Sequence, residues 1–220
     1  MRGFKLQYVS DIHLENKGVS FPRIPIKGQV LALLGDIGNP YNQNYIDFLL
    51  YTSYNFEKVI LVAGNHDYNF AWKKHKSLEY CIADFENIVS KFGNIEFLDN
   101  KKTRINNYTV LGTTLWTNRY SGNRYFDSTN WLQSELSLIN SPVIVLSHHL
   151  PTFKMIVSKY KTNKFNSTRD FFASNLDHLI KDPVKIWLCG HSHCTTQINI
   201  NNVICGINTN ASLATVIHCT

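Results

Sequence analysis

The sequence predicts an α/β fold, on three observations. Short β-branched or apolar runs recur along the chain, stretches of helical periodicity lie between them, and the runs stop at loops rich in Gly, Asp, Asn or His. Continuous apolar runs of this length suit strands buried on both faces. Residues 4–9 enter Ser10-Asp11-Ile12-His13, and residues 30–34 enter Gly35-Asp36. Tyr45, Ile46, Leu49 and Leu50 follow at helical spacing. Residues 59–63 enter Gly64-Asn65-His66-Asp67, after which Leu78, Ile82, Phe85 and Val89 form a second helical stripe. Ser128 or Thr129 is placed to cap a helix through Trp131, Leu132, Leu136 and Ile139. Residues 143–146 enter Ser147-His148-His149, and residues 186–189 enter Gly190-His191-Ser192-His193. Residues 196–207, turning at Asn201-Asn202, read as a hairpin. With no repeat, linker or low-complexity tract, one domain over residues 1–220 is expected.

Composition narrows the class. A hydrophobic fraction of 44% with 17% charged residues is that of a soluble globular chain. No run approaches the ~18 apolar residues of a membrane span, and the N-terminus lacks a signal peptide's apolar stretch. A cytoplasmic protein without a membrane partner is the expectation. Cys81, Cys189, Cys194, Cys205 and Cys219 show no C-x-x-C spacing, which argues against a disulfide framework or zinc ribbon. The net charge is +6 with dispersed basic residues; Lys73, Lys74 and Lys76 read as a solvated helix face or as a patch that draws in phosphate. No basic stripe or second domain suggests a stable nucleic-acid complex.

The chemistry sits where the strands stop. In open α/β sheets, ligands bind beyond the carboxyl ends of the strands, and five runs here end in metal-ligating residue types. Asp11 and His13 are two apart, so on an extended segment they face one cation. Asp36 follows a buried strand, where an unmatched carboxylate is costly. Asn65 offers a neutral oxygen, and His148, His191 and His193 complete two carboxylates, one amide and four imidazoles. Oxygen and imidazole donors suit Mn, Fe, Zn or Ni, without thiolate. Seven donors exceed one ion's needs and suit two. Asp36 is the natural bridge, because Asp11 is committed to sit with His13.

In this order the motifs Asp11-Ile12-His13, Gly35-Asp36, Gly64-Asn65-His66-Asp67, His148-His149 and Gly190-His191-Ser192-His193 resemble those of the calcineurin-like metallophosphoesterases. The resemblance implies a four-layer α/β/β/α sandwich with two divalent ions at its strand ends. It assigns Asp11, His13, Asp36 and His193 to one ion, and Asp36, Asn65, His148 and His191 to the other. His149 becomes a neighbour of the ligands and, with Asn39, a candidate substrate contact. It also singles out His66 as the non-ligand histidine beside the substrate phosphate. Asp67 either orients that ring and raises its pKa or hydrogen-bonds the loop backbone. Asn39 stands where the purple acid phosphatases carry a tyrosine, so a ferric–phenolate site is not expected and Asn39 braces the loop or the ligands.

The implied reaction is in-line hydrolysis of a phosphoester by a hydroxide bridging the two metals. The expected substrate is a small phosphodiester or nucleotide. A protein phosphatase and a silent scaffold of the same fold are the alternatives. Trp116 or Tyr120 either stacks on a base or packs under the loop, and Arg119 or Arg124 is a candidate to bind a second phosphate. The basic segment 151–170 reads as a cap over the site.

Overall fold

The computed structural model describes residues 3–18, 20–75, 77–121, 123–156 and 169–220. Two mixed sheets face each other between outer layers of helix, an α/β/β/α sandwich. The first sheet has the order β11-β1-β2-β3-β4, built from β1 (Phe4–Val9), β2 (Val30–Leu34), β3 (Lys58–Val62), β4 (Ile95–Phe97) and β11 (Val216–Cys219). Its first four strands are parallel, and β11 runs antiparallel to β1. The second sheet has the order β5-β6-β7-β8-β10-β9. Its strands are β5 (Lys101–Ile105), β6 (Tyr108–Thr113), β7 (Val143–Ser147), β8 (Val184–Cys189), β9 (Thr196–Ile200) and β10 (Val203–Ile207). Here β6, β7, β8 and β10 are mutually parallel, with antiparallel edge strands β5 and β9.

The alternation of side chains along each strand explains the layers. Leu6, Tyr8, Ala32, Leu34, Ile60 and Val62 point inward and meet Val110, Ile144, Leu146, Ile186 and Leu188 of the opposite sheet. The intervening Leu31, Leu33, Val59 and Leu61 point outward, against Tyr45, Phe48 and Phe85 of helices α1 (Gln43–Asn55) and α3 (Leu78–Val89). On the far side, Val143, Val145 and Trp187 meet Leu132 of α5 (Asn123–Leu138) and Ile180. Each fully buried aliphatic side chain contributes roughly 1.5–3 kcal/mol, so burial on both faces favours the unbroken apolar runs seen in the sequence.

Two local readings change. α5 starts at Asn123, so Ser128 and Thr129 lie inside it rather than capping it, their hydroxyls donating back to the carbonyl oxygens of Arg124 and Tyr125. The stretch after Gly64, read as a loop, is helix α2 (Asn65–His75). Of the expected cap, residues 157–168 lie outside those described; on its two sides, Leu150 and Ala173 form a bridge. No helix among the described residues is long and apolar enough to cross a membrane.

Candidate metal centre

Parallel strands deliver their carboxyl ends to one edge, and the backbone there is held in unusual conformations. Asp11, His13, Asp36, His191 and His193 all take positive φ, between 50° and 67°. The Asp11–His13 segment is therefore not extended; its two side chains converge because both residues are left-handed. Such conformations cost about 1–3 kcal/mol each and persist only when the surroundings enforce them. The enforcement is visible: Asp11 N–H donates to Gly35 O (3.0 Å), His13 N–H to Asp36 O (3.0 Å) and Gly190 N–H to His148 O (2.9 Å). The motif glycines make room for the donors. A Cβ on Gly35, itself at φ 81°, would collide with the His148 ring, and one on Gly64 with the Asp36 carboxylate.

Among the described residues, ligand atoms gather into groups that fit within 4.8 Å, including Asp11 with His13 and His193, and Asp36 with His148 and His191. Asp36 Oδ2 joins the two, lying 3.3 Å from His148 Nε2 and 4.0 Å from His13 Nε2. His193 Nε2 is 3.4 Å from both Asp11 Oδ1 and His13 Nε2, and Asn65 Oδ1 is 3.0 Å from His148 Nε2. The opposite ring nitrogens are tied down. His148 Nδ1 faces Leu34 O (2.9 Å), His191 Nε2 faces Phe171 O (3.1 Å) and His13 Nδ1 faces Glu15 Oε1 (2.8 Å). Donation at those atoms leaves the remaining nitrogen of each ring with a lone pair for a metal. Glu15 was not singled out in the sequence; its place two residues beyond His13 was the available signal.

Charge makes the same case. Asp11 and Asp36 are buried, and among the described residues their ion-pair partners are histidines, with no Lys or Arg. Burial holds the Asp11 carboxyl above its ordinary range against the pull of His148, with Asp36 adding to the rise. Burial pushes Asp36 up as well, but His148 and His66 outweigh it and hold it well below the usual carboxylate range. His148 titrates at about 9, because Asp36 and Asp11 overcome its burial, whereas burial and then His148 depress His191 to about 3. Two buried carboxylates, an amide oxygen and four imidazoles, with no Lys or Arg paired to the carboxylates among the described residues, fit divalent cations. No cysteine joins the groups among the described residues.

The other expected residues divide. His66 is exposed, its N–H donating to Asp36 Oδ1 (2.9 Å) and its ring edge-on to His13 at 5.0 Å. Asp67 is fully buried and accepts the N–H groups of Asp36 (2.8 Å), Gly64 (2.8 Å) and Gly38 (3.0 Å). Of the two roles open to it, the structure displays loop bracing, which ties the β2 and β3 ends together. Asn39 Oδ1 accepts Tyr41 N–H at 3.1 Å, also a loop brace. His149, a candidate substrate contact in the sequence, is fully buried, with its ring 4.2 Å from that of His191 and its Nδ1 at Thr114 O.

Trp116 is buried against Tyr68 and His149, as in the packing alternative, and also lines a cavity. Arg124 lies on that cavity, of about 350 Å³, which also touches Asn65, Asn69 and Trp72. Arg119 lies elsewhere, 4.7 Å above the Phe171 ring. The Tyr120 side chain falls outside those described. Trp72 went unnoticed in the sequence, since its role depends on α2. A second cavity, of about 410 Å³, touches Asp11, Lys17, Asn210 and Ser212.

Fold and site together define a metal-binding α/β/β/α protein with its donors at the carboxyl ends of both sheets. A family model for calcineurin-like phosphoesterases matches residues 6–195, and the chain belongs to that family. An uncharacterized protein of Acanthamoeba polyphaga mimivirus is 28% identical over 250 residues, covering 92% of this chain and 89% of its own. Among solved structures, a phosphopantetheinyl hydrolase from Mycobacterium tuberculosis superposes with a TM-score of 0.67 at 14% identity, covering 92% of this chain and 88% of that one. A protein from Thermus thermophilus gives 0.67 at 12% identity, covering 99% and 98%. A putative 5′-nucleotidase from Staphylococcus aureus gives 0.51 at 13% identity, covering 96% of this chain and 49% of that one. At these identities the solved structures speak for the fold.

Proposed function

We propose that this chain hydrolyses a small phosphodiester or nucleotide-type phosphoester with two divalent cations. The observation that carries the proposal is the position of Asp36 Oδ2, between His148 of one donor group and His13 of the other. One ion would be held by Asp11, His13, Asp36 and His193, the other by Asp36, Asn65, His148 and His191. When bound, such ions polarise phosphoryl oxygens and lower the pKa of water. Glu15, Leu34 O and Phe171 O fix the imidazole tautomers, so the donors need little reorganisation. Asp67 fixes the Asp36 loop. His66, exposed beside His13, would stabilise or protonate the leaving oxygen.

The diester reading draws on the two cavities, one beside Asn65 and one beside Asp11. A diester carries a group on each side of its phosphorus; a monoester needs only one such space. The test is the ratio of bis-p-nitrophenyl phosphate to p-nitrophenyl phosphate hydrolysis with Mn, Zn, Ni, Fe or Mg supplied. A diester preference is expected; a clear monoester preference would move the reading to a phosphatase.

A further inference from the structure

We propose that Arg124 is a receptor for a second phosphoryl group, so that the substrate carries a phosphate in addition to the one hydrolysed. The inference deepens the phosphoesterase reading and takes from it where the scissile phosphate lies. Arg124 itself belongs to neither donor group.

The cavity beside Asn65 is about 350 Å³, the size of a small-molecule site. α2 forms one wall. Asn65, Asn69 and Trp72 stand at i, i+4 and i+7 and share a helix face, so the wall runs from the metal donor Asn65 to Trp72. At 1.5 Å per residue that is about 10 Å, roughly the reach of a nucleotide. Trp72 is 41% exposed and presents aromatic surface there.

Arg124 supplies the only charge among the described residues lining this cavity. Its guanidinium carbon lies 5.1 Å from the centre of the Trp116 ring and 5.4 Å from that of Trp72. No hydrogen bond or ion pair engages that guanidinium among the described residues. Two acids feel its charge yet are engaged elsewhere: Asp99 takes the Tyr68 hydroxyl, and Glu79 that of Ser77. A guanidinium stacked on aromatic rings keeps its N–H groups free at its edge, where they match two oxygens of a phosphate. A structural arginine normally spends those donors on a carboxylate or on carbonyl groups. This one holds them beside a cavity whose described lining residues include no carboxylate.

The test uses the metal-supplied protein and the fluorescence of its tryptophans, read within seconds of mixing with adenosine 5′-monophosphate or adenosine 3′,5′-bisphosphate. The native protein should bind the bisphosphate at least about tenfold tighter, the scale of one charge-assisted hydrogen bond. Arg124→Met should bring the two ligands to near equality. Arg124→Lys, which keeps the charge without the fork, should retain part of the preference. Circular dichroism checks the fold of both variants, and Arg124→Lys decides if Arg124→Met does not fold. Equal binding of the two ligands by the native protein would overturn the proposal, as would a preference undiminished in Arg124→Met, or in Arg124→Lys if Arg124→Met does not fold. If the preference depends on Arg124 while no metal is bound and no ester is cleaved, the receptor stands and the catalytic reading fails.

Discussion

The two halves of the ligand set differ in exposure although both arise from histidines at strand ends. Around Asn65, His148 and His191 the donors are buried, and His148 is 0% exposed. Around His13 and His193 the site opens, with the His193 side chain 55% exposed. The buried half doubles as core: the His148 ring packs on Gly35 and against His149. The open half is held mainly by its loops and by Glu15. Similar chemistry therefore has a structural cost in one half and little in the other.

Removing the shared group has the largest expected effect. Asp36→Ala should lower phosphodiester hydrolysis by at least about a thousandfold, since metal-ion catalysis supplies several kcal/mol and each 1.36 kcal/mol is a factor of ten. A loss of less than tenfold, measured as kcat/KM, would break the idea that Asp36 serves both halves. The next effect separates them. His148→Ala removes one partner from a buried ion pair and should destabilise the metal-free protein by about 3–5 kcal/mol. His193→Ala should cost under about 1 kcal/mol. Equal midpoints in urea unfolding would remove the distinction.

A smaller effect isolates the open half. Glu15→Gln should weaken metal affinity by about 10–100-fold through the His13 ring it orients. Competition with a chromogenic chelator measures this, and a change under twofold would show that the Glu15 contact does not tune the site.

How much of this was legible follows from what each residue depends on. The five motif loops were readable because each joins a buried apolar run to a polar donor, a combination that turn chemistry alone seldom requires. The start of helix α2 at Asn65 was not, since residues 65–75 are mostly polar and carry no clear apolar stripe, and only the lysines at its end offered a helix face. With that start unread, the alignment of Asn65 with Trp72 stayed invisible. Strand β5 reads as Lys-Lys-Thr-Arg-Ile, an exposed edge strand without a core signature, and β11 is short and pairs with a strand far away in sequence. Trp116 looked available because it follows a strand in a loop-like stretch; three-dimensional packing buries it. The left-handed ligand backbones are held by contacts between loops far apart in sequence, which no local pattern records.

The smallest expected effect lies outside both halves and serves as their control. Burial raises the Asp84 carboxyl, but the Tyr41 hydroxyl, His75 and Lys74 outweigh it and leave it below its ordinary value. A carboxyl depressed by folding stabilises the protein above its unfolded pKa, and that contribution is lost as pH falls through the folded value. Asp84→Asn should cost up to about 1 kcal/mol, a fall in Tm of about 2–4 °C at pH 7, and the gap should close toward pH 2. A gap of constant size across that range would mean that Asp84 acts by packing alone.

Metal stoichiometry is the most direct test of the centre itself. Chelator-stripped protein is resupplied with Mn or Zn, desalted and analysed for bound metal, alongside Asp36→Ala. Two ions per native chain are expected, with at most one weakly held ion in the variant. A native chain that binds no metal, or an Asp36→Ala chain that keeps both ions at native affinity, would contradict a pair of cations sharing Asp36.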